Sequence, residues 1–234
     1  MKLGKLHPTR PAALGELKDY ANGRLPAPPA SIAAPVLDWG MDGNDTLGDC
    51  TIAGVDHALK TWNAQVPKFP LPTPDTATIE QVYFGLTGGQ DTGLVEYNVL
   101  NTWRATGLFG STIVGFAPVN KDKVLDIHQA IAAYGVAYLG IQCPQSAQQD
   151  FAEGQPWNYD PSSPVDGGHC VIAVGYDSQY VYCVSWGQTV KVTYPFLAAY
   201  LDEAWAMVPH QYLLAGRGPE LAVDALVKDL NLLD

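Results

Sequence analysis

The chain has 234 residues, 47% of them hydrophobic, which is enough to build a substantial core in one domain or two closely packed lobes. Lys and Arg number 13 against 24 Asp and Glu, leaving a net charge of −11 with no basic run to offset it, so nucleic acid and anionic lipid are excluded as expected partners. The four cysteines, Cys50, Cys143, Cys170 and Cys183, show neither CxxC nor CxxH spacing. Free thiols in a reducing compartment are therefore expected, with no metal and no cofactor.

Residues 1–35 read as an extended, proline-rich arm, with one short helix near 12–20. The opening MKLGKLHPTR has no apolar run behind its basic residues, and no stretch of about 18 apolar residues follows anywhere. Neither a signal peptide nor a membrane span is expected. After the turn-like stretch 42–49, Ile52, Val55, Leu59 and Trp62 recur at helical spacing, so a helix starts at Cys50. Further helices are expected at 76–86, 94–106 and 123–134, with the pair Gly88-Gly89 between the first two. The texture then changes to short β-branched or aromatic runs at 136–142, 170–176, 180–185 and 190–193, which predict strands. A last amphipathic segment at 219–233 predicts a docked helix in the tail 211–234. Helices first and antiparallel strands second give an α+β protein, with the cleft between the halves as the default site.

Two residues carry candidate chemistry. A thiol attacks a carbonyl only as thiolate, and a helix N-terminus favours that anion with unpaired N–H groups and partial positive charge; Cys50 has this placement. His169 follows Gly167-Gly168 and opens a hydrophobic strand, where it would face a cleft. Taken singly, each also reads as an ordinary packed residue.

Over roughly 35–208 the chain resembles the papain family of cysteine peptidases, on a series of ordered motifs. Pro35-Val36-Leu37-Asp38-Trp39 resembles the segment that opens the mature domain, and Asn44 to Cys50 the loop leading to the nucleophile. Gly88-Gly89 resembles the glycine pair lining the substrate cleft, and 128–142 the helix-then-strand passage. Gln149-Asp150-Phe151, then Gly168-His169 with Ala173 to Tyr176, then Ser185-Trp186-Gly187 continue the series. The resemblance implies a papain-like two-lobe fold, with a helical lobe at about 45–115, a β lobe at about 120–210, and a domain spanning 36–210 behind the arm.

It also implies roles. Cys50 becomes the nucleophile, His169 its base, and Asn44, in the place of the family's glutamine, an oxyanion donor, with a turn role as the equal alternative. Gly88 and Gly89 become substrate-backbone contacts, with tight-turn use as the ordinary alternative, and Trp186 comes with its motif. Leu139 and Cys170 are candidates for an apolar side-chain pocket, against core packing. The family's histidine-orienting asparagine is replaced by Val184, or by Ser185 if one residue is deleted, and Asp49 places a negative charge beside the thiol. The expected activity is hydrolysis of peptide or other amide bonds through a thiol acyl-enzyme. The alternative is a catalytically weak papain-fold structural or binding protein, for example a bacteriophage particle component assembling as a homo-oligomer or virion through its arm. A cytoplasmic or virion-associated setting follows from the absent disulfide cysteines.

Overall fold

The structure is a computed structural model that describes every residue except 10, 12, 13, 22–24 and 234. After the N-terminal segment come helices α1 (Leu17–Tyr20), α2 (Cys50–Gln65), α3 (Thr76–Leu86) and α4 (Glu96–Ala105). Strand β1 (Ile113–Pro118), helix α5 (Val124–Tyr134), strand β2 (Ala137–Pro144) and helix α6 (Gln145–Ala152) follow. Next are β3 (Val165–Tyr176), β4 (Tyr180–Ser185) and β5 (Gln188–Thr193). The chain closes with α7 (Tyr194–Tyr200), β6 (Leu201–Pro209), α8 (His210–Leu214) and α9 (Val223–Asn231). The strands form one antiparallel sheet in the order β1-β6-β2-β3-β4-β5.

Helix α2 is the central helix of the fold. Its periodic residues Ile52, Val55, Leu59 and Trp62 are all buried, as the spacing predicts. Trp62 donates from Nε1 to the Tyr134 carbonyl at 2.8 Å and stacks on Trp103 with centroids 5.5 Å apart, tying α2 to α5 and α4. Gly54 lets α2 lie close on the sheet, since a Cβ there would stand 3.1 Å from Tyr138 and 3.2 Å from Ile172. The helix tip at Cys50 is thereby pressed against β3.

The expected helices at 76–86, 94–106 and 123–134 and the strands at 136–142, 180–185 and 190–193 are present, with small shifts of boundary. Strand β3 begins at Val165, five residues earlier than expected, because pairing with β2 carries it through the two glycines. Strands β1 and β6 and helices α6, α7 and α8 carry no expectation from the sequence. Of the helix expected near 12–20, residues 12 and 13 lie outside the described residues, and the described helix is α1 alone.

The N-terminal segment is woven into the body. Ile32 bridges Tyr176 at the end of β3. Tyr20 donates to Asp229 on α9 at 3.0 Å, and α9 in turn seats Leu226 and Leu230 over Gly115 of β1. Among the described residues, no helix is long and apolar enough to cross a membrane.

Candidate active site

Cys50 occupies the first position of α2, after a loop turned by Asp42 (φ 58°) and Gly43 (φ 90°). Its Sγ accepts the backbone N–H of Cys170 at 3.4 Å, so the helix tip meets β3 at the residue next to His169. His169 lies on β3 opposite Ile141, and its Nε2 pairs with Ser185 Oγ at 2.8 Å. Trp186 stacks on the imidazole with centroids 4.5 Å apart and planes 19° apart. Of the two expected orienting candidates, Ser185 is thus the one that meets the imidazole, while Val184 lies paired with Ile172 within the sheet. The remaining ring nitrogen, Nδ1, is buried without a hydrogen-bond partner.

Both candidate groups are shut away from solvent, Cys50 at 2% exposure and His169 at 0%. Burial pushes the Cys50 thiol up to about 12, against the downward pull of the Cys170 and Gly4 backbone amides, with Asp49 and Glu96 adding to the rise. Burial likewise holds His169 down at about 3. Both shifts favour the uncharged forms, a thiol at the tip of α2 and an imidazole on β3. Asp49 is itself raised to about 7 by burial, eased by Asn44 and worsened by Asp42 and Glu80.

The site is covered by residues 2–6 of the same chain. Lys2 to Leu6 lies across the cleft, pinned on both sides by backbone hydrogen bonds. Lys5 N donates to Gly168 O at 3.0 Å, Leu94 N to Gly4 O at 2.9 Å, and Leu6 N to Leu94 O at 2.9 Å. Trp186 Nε1 donates to Lys2 O at 3.4 Å, and Lys2 N to Asn44 O at 3.4 Å. The approach is so close that only glycine fits at the crossings. A Cβ on Gly4 would stand 1.8 Å from Gly48 O, one on Gly93 2.0 Å from Gly4 O, and one on Gly168 2.2 Å from Lys5 O.

The other expected site residues fall out as follows. Asn44 is buried, and its Nδ2 donates to Leu47 O at 3.3 Å, which is the turn role; its side chain also lies beside Asp49. Gly88 and Gly89 sit at positive φ in the exposed turn after α3, with open space around them, and the backbone facing the arm is that of Gly93 and Leu94. Leu139 is fully buried in β2 between Val171 and Ala204, the core-packing alternative. The side chain of Cys170 lies against Tyr138 and Glu96 beside the cleft. Sequence reasoning missed Gly4, Lys5, Gly93, Leu94 and Glu96.

Among the described residues, Asp42, Asp56 and His57 group their ligand atoms within 4.8 Å of one another. Lys60 already places its ammonium 2.7 Å from Asp56, and His57 Nε2 lies 3.3 Å from Asp42, so the chain's own side chains already face these carboxylates.

A helix bearing a cysteine at its tip, laid against a sheet that presents a histidine, is the architecture of the papain-like cysteine proteases, and this chain has that fold. Xylellain, a cysteine protease from Xylella fastidiosa, superposes with TM-score 0.68 over 88% of this chain and 96% of its own, at 14% identity. A cysteine protease of Carica candamarcensis gives TM-score 0.54 over 77% of this chain and 99% of its own, at 16% identity. The digestive procathepsin L 3 of Tenebrio molitor larval midgut gives TM-score 0.55 over 81% of this chain and 72% of its own, at 14% identity. No family model and no curated protein matches the sequence.

Proposed function

We propose that this chain is a cysteine hydrolase of peptide or other amide bonds, with Cys50 as nucleophile and His169 as base, held latent by the segment of residues 2–6. The observation that carries the reading is the meeting of the Cys50 sulfur with β3 beside a histidine already oriented by Ser185 and covered by Trp186. With the arm lifted, water reaches the thiol and the burial that raises its pKa is relieved; the N–H groups at the start of α2 then favour thiolate. Cys50 attacks the carbonyl carbon, and its own backbone N–H is the nearest donor for the resulting oxyanion. His169 carries the proton to the leaving amine, and water, activated by the same imidazole, releases the acyl group.

The arm binds as a plug and not as a substrate. The Gly4 amide N–H is directed at the sulfur, in the space an acyl carbon needs. The complete burial of both groups also fits a second reading, a papain-fold binding or particle protein in which the arm never leaves. A thiol-directed epoxide separates the two. Mass spectrometry after treatment of the wild type and of Gly4→Ala is expected to find the adduct on Cys50 and not on Cys143, Cys170 or Cys183. If Cys50→Ala takes up as much reagent as the unaltered thiol, the hydrolase reading fails.

A further inference from the structure

The Lys5 side chain is 0% exposed and enters a recess formed by β2, β6 and the first residue of α4. Its Nζ lies 3.0 Å from Asp202 Oδ2, 3.0 Å from Glu203 Oε1 and 3.2 Å from Leu6 O. Glu96 completes the acidic wall. It is fully buried, with the Cys170 thiol beside it as its hydrogen-bond partner. The recess is built and not incidental. Trp205 Nε1 holds Glu203 Oε2 at 2.9 Å, and Gln142 Nε2 donates to Asp202. The space for the cation exists because residue 140 is glycine, for a Cβ there would meet Lys5 Cε at 2.1 Å.

Burial raises the Glu96 and Glu203 carboxyls, with Asp202 at 17% exposure alongside them, and a cation placed among the three opposes that rise. While the arm is down, Lys5 supplies that cation. Once the arm lifts, the recess lies open beside Cys50, joined to it through one residue: Cys170 gives its N–H to the Cys50 sulfur and its thiol to the neighbourhood of Glu96. We propose that this recess is a substrate subsite for a basic side chain, lysine or arginine, close to the scissile bond, and that Lys5 fills it as a stand-in. The inference rests on the hydrolase reading for the word substrate, but the selectivity of the recess is a separate property.

The test uses the full chain carrying Gly4→Ala and Lys5→Ala, so that the arm cannot reseat, with folding checked by circular dichroism. Dye-labelled peptides Leu-Gly-Xaa-Leu-His, with Xaa as lysine, arginine, norleucine or glutamate, are titrated by fluorescence anisotropy. Basic peptides are expected to bind at least tenfold tighter than the norleucine peptide, and adding Glu203→Gln is expected to remove at least threefold of that preference. Equal affinities, no binding by any peptide, or a preference untouched by Glu203→Gln overturns the proposal. A second measurement needs no added peptide. In the otherwise unaltered chain, Lys5→Arg is expected to keep Cys50 protected from a thiol reagent, and Lys5→Met to expose it at least tenfold; equal protection in both overturns the proposal. Cleavage is read separately. Selective binding without reaction at Cys50 sinks the hydrolase reading and leaves the subsite standing, whereas cleavage without basic preference does the reverse.

Discussion

Replacing Gly4 by alanine turns the glycine crossing into a measurement of how tightly the site is shut. The new methyl would stand 1.8 Å from the Gly48 carbonyl oxygen and 2.2 Å from its carbon, both backbone atoms that no rotamer change can move. The arm must therefore leave, giving up the bonds Lys5 N to Gly168 O, Leu94 N to Gly4 O and Leu6 N to Leu94 O. At about 1 kcal/mol net each, these hold the closed form by about 3 kcal/mol, or an open fraction of about one in a hundred. The buried Lys5 ion pairs add to this, so the figure is a lower bound. A small thiol reagent at low concentration, reacting only with the open form, should then modify Cys50 roughly a hundredfold faster in Gly4→Ala than in the wild type. The rate is followed by intact-mass spectrometry under native conditions. A ratio below about three, with both proteins folded, would refute the idea that the arm is what shields the sulfur.

Gly93→Ala attacks the same contact from the other side, since its Cβ would stand 2.0 Å from Gly4 O at a residue with φ of 75°; it should reproduce the Gly4→Ala labelling rate, and wild-type behaviour would count against the described path of the arm. Ser185→Ala removes the partner of His169 Nε2, and in the Gly4→Ala background it should slow Cys50 modification about tenfold, one neutral hydrogen bond's worth, and shift the pH profile of that rate. An unshifted profile, or no rescue by Ser185→Thr, would make the serine merely structural. Because His169 is held near 3 in the folded chain against an ordinary 6.5, its contribution to stability is present above about 6.5 and is lost as pH falls. Denaturant titrations should show wild type losing about 3 kcal/mol more than His169→Gln between pH 7 and pH 4, and equal losses would contradict the buried neutral imidazole.

Much of the α+β architecture could be read from residue spacing, because α3, α4 and α5 each bury a one-sided stripe that the 3.6-residue period exposes, while α2 carries the same period inside a helix buried nearly all round. Strand β6 could not. Its LDEAWAMVP is poor in β-branched residues and follows α7 without a break, yet it pairs with β1 and β2 in the middle of the sheet, where burial decides and not propensity. For the site, Cys50 stands out because it opens α2, His169 because it follows two glycines ahead of a hydrophobic run, and Ser185 because it precedes Trp186-Gly187. The backbone-contact candidates Gly88 and Gly89 and the pocket candidates Leu139 and Cys170 rest on the family resemblance, whereas contact with the arm depends on which backbone lies within hydrogen-bond reach of it. Gly4, Gly48, Gly93 and Gly168 are far apart in sequence and meet only where the arm crosses, so no local pattern joins them.

The plug and the cleft belong to one chain, tethered through Leu14, which is anchored in the core at 2% exposure. Such tethering gives an effective concentration of about a millimolar that dilution cannot lower. A single cut in the tether would change the order of the reaction: the freed peptide would obey its own dissociation constant, drift away at nanomolar protein, and make opening permanent after one event.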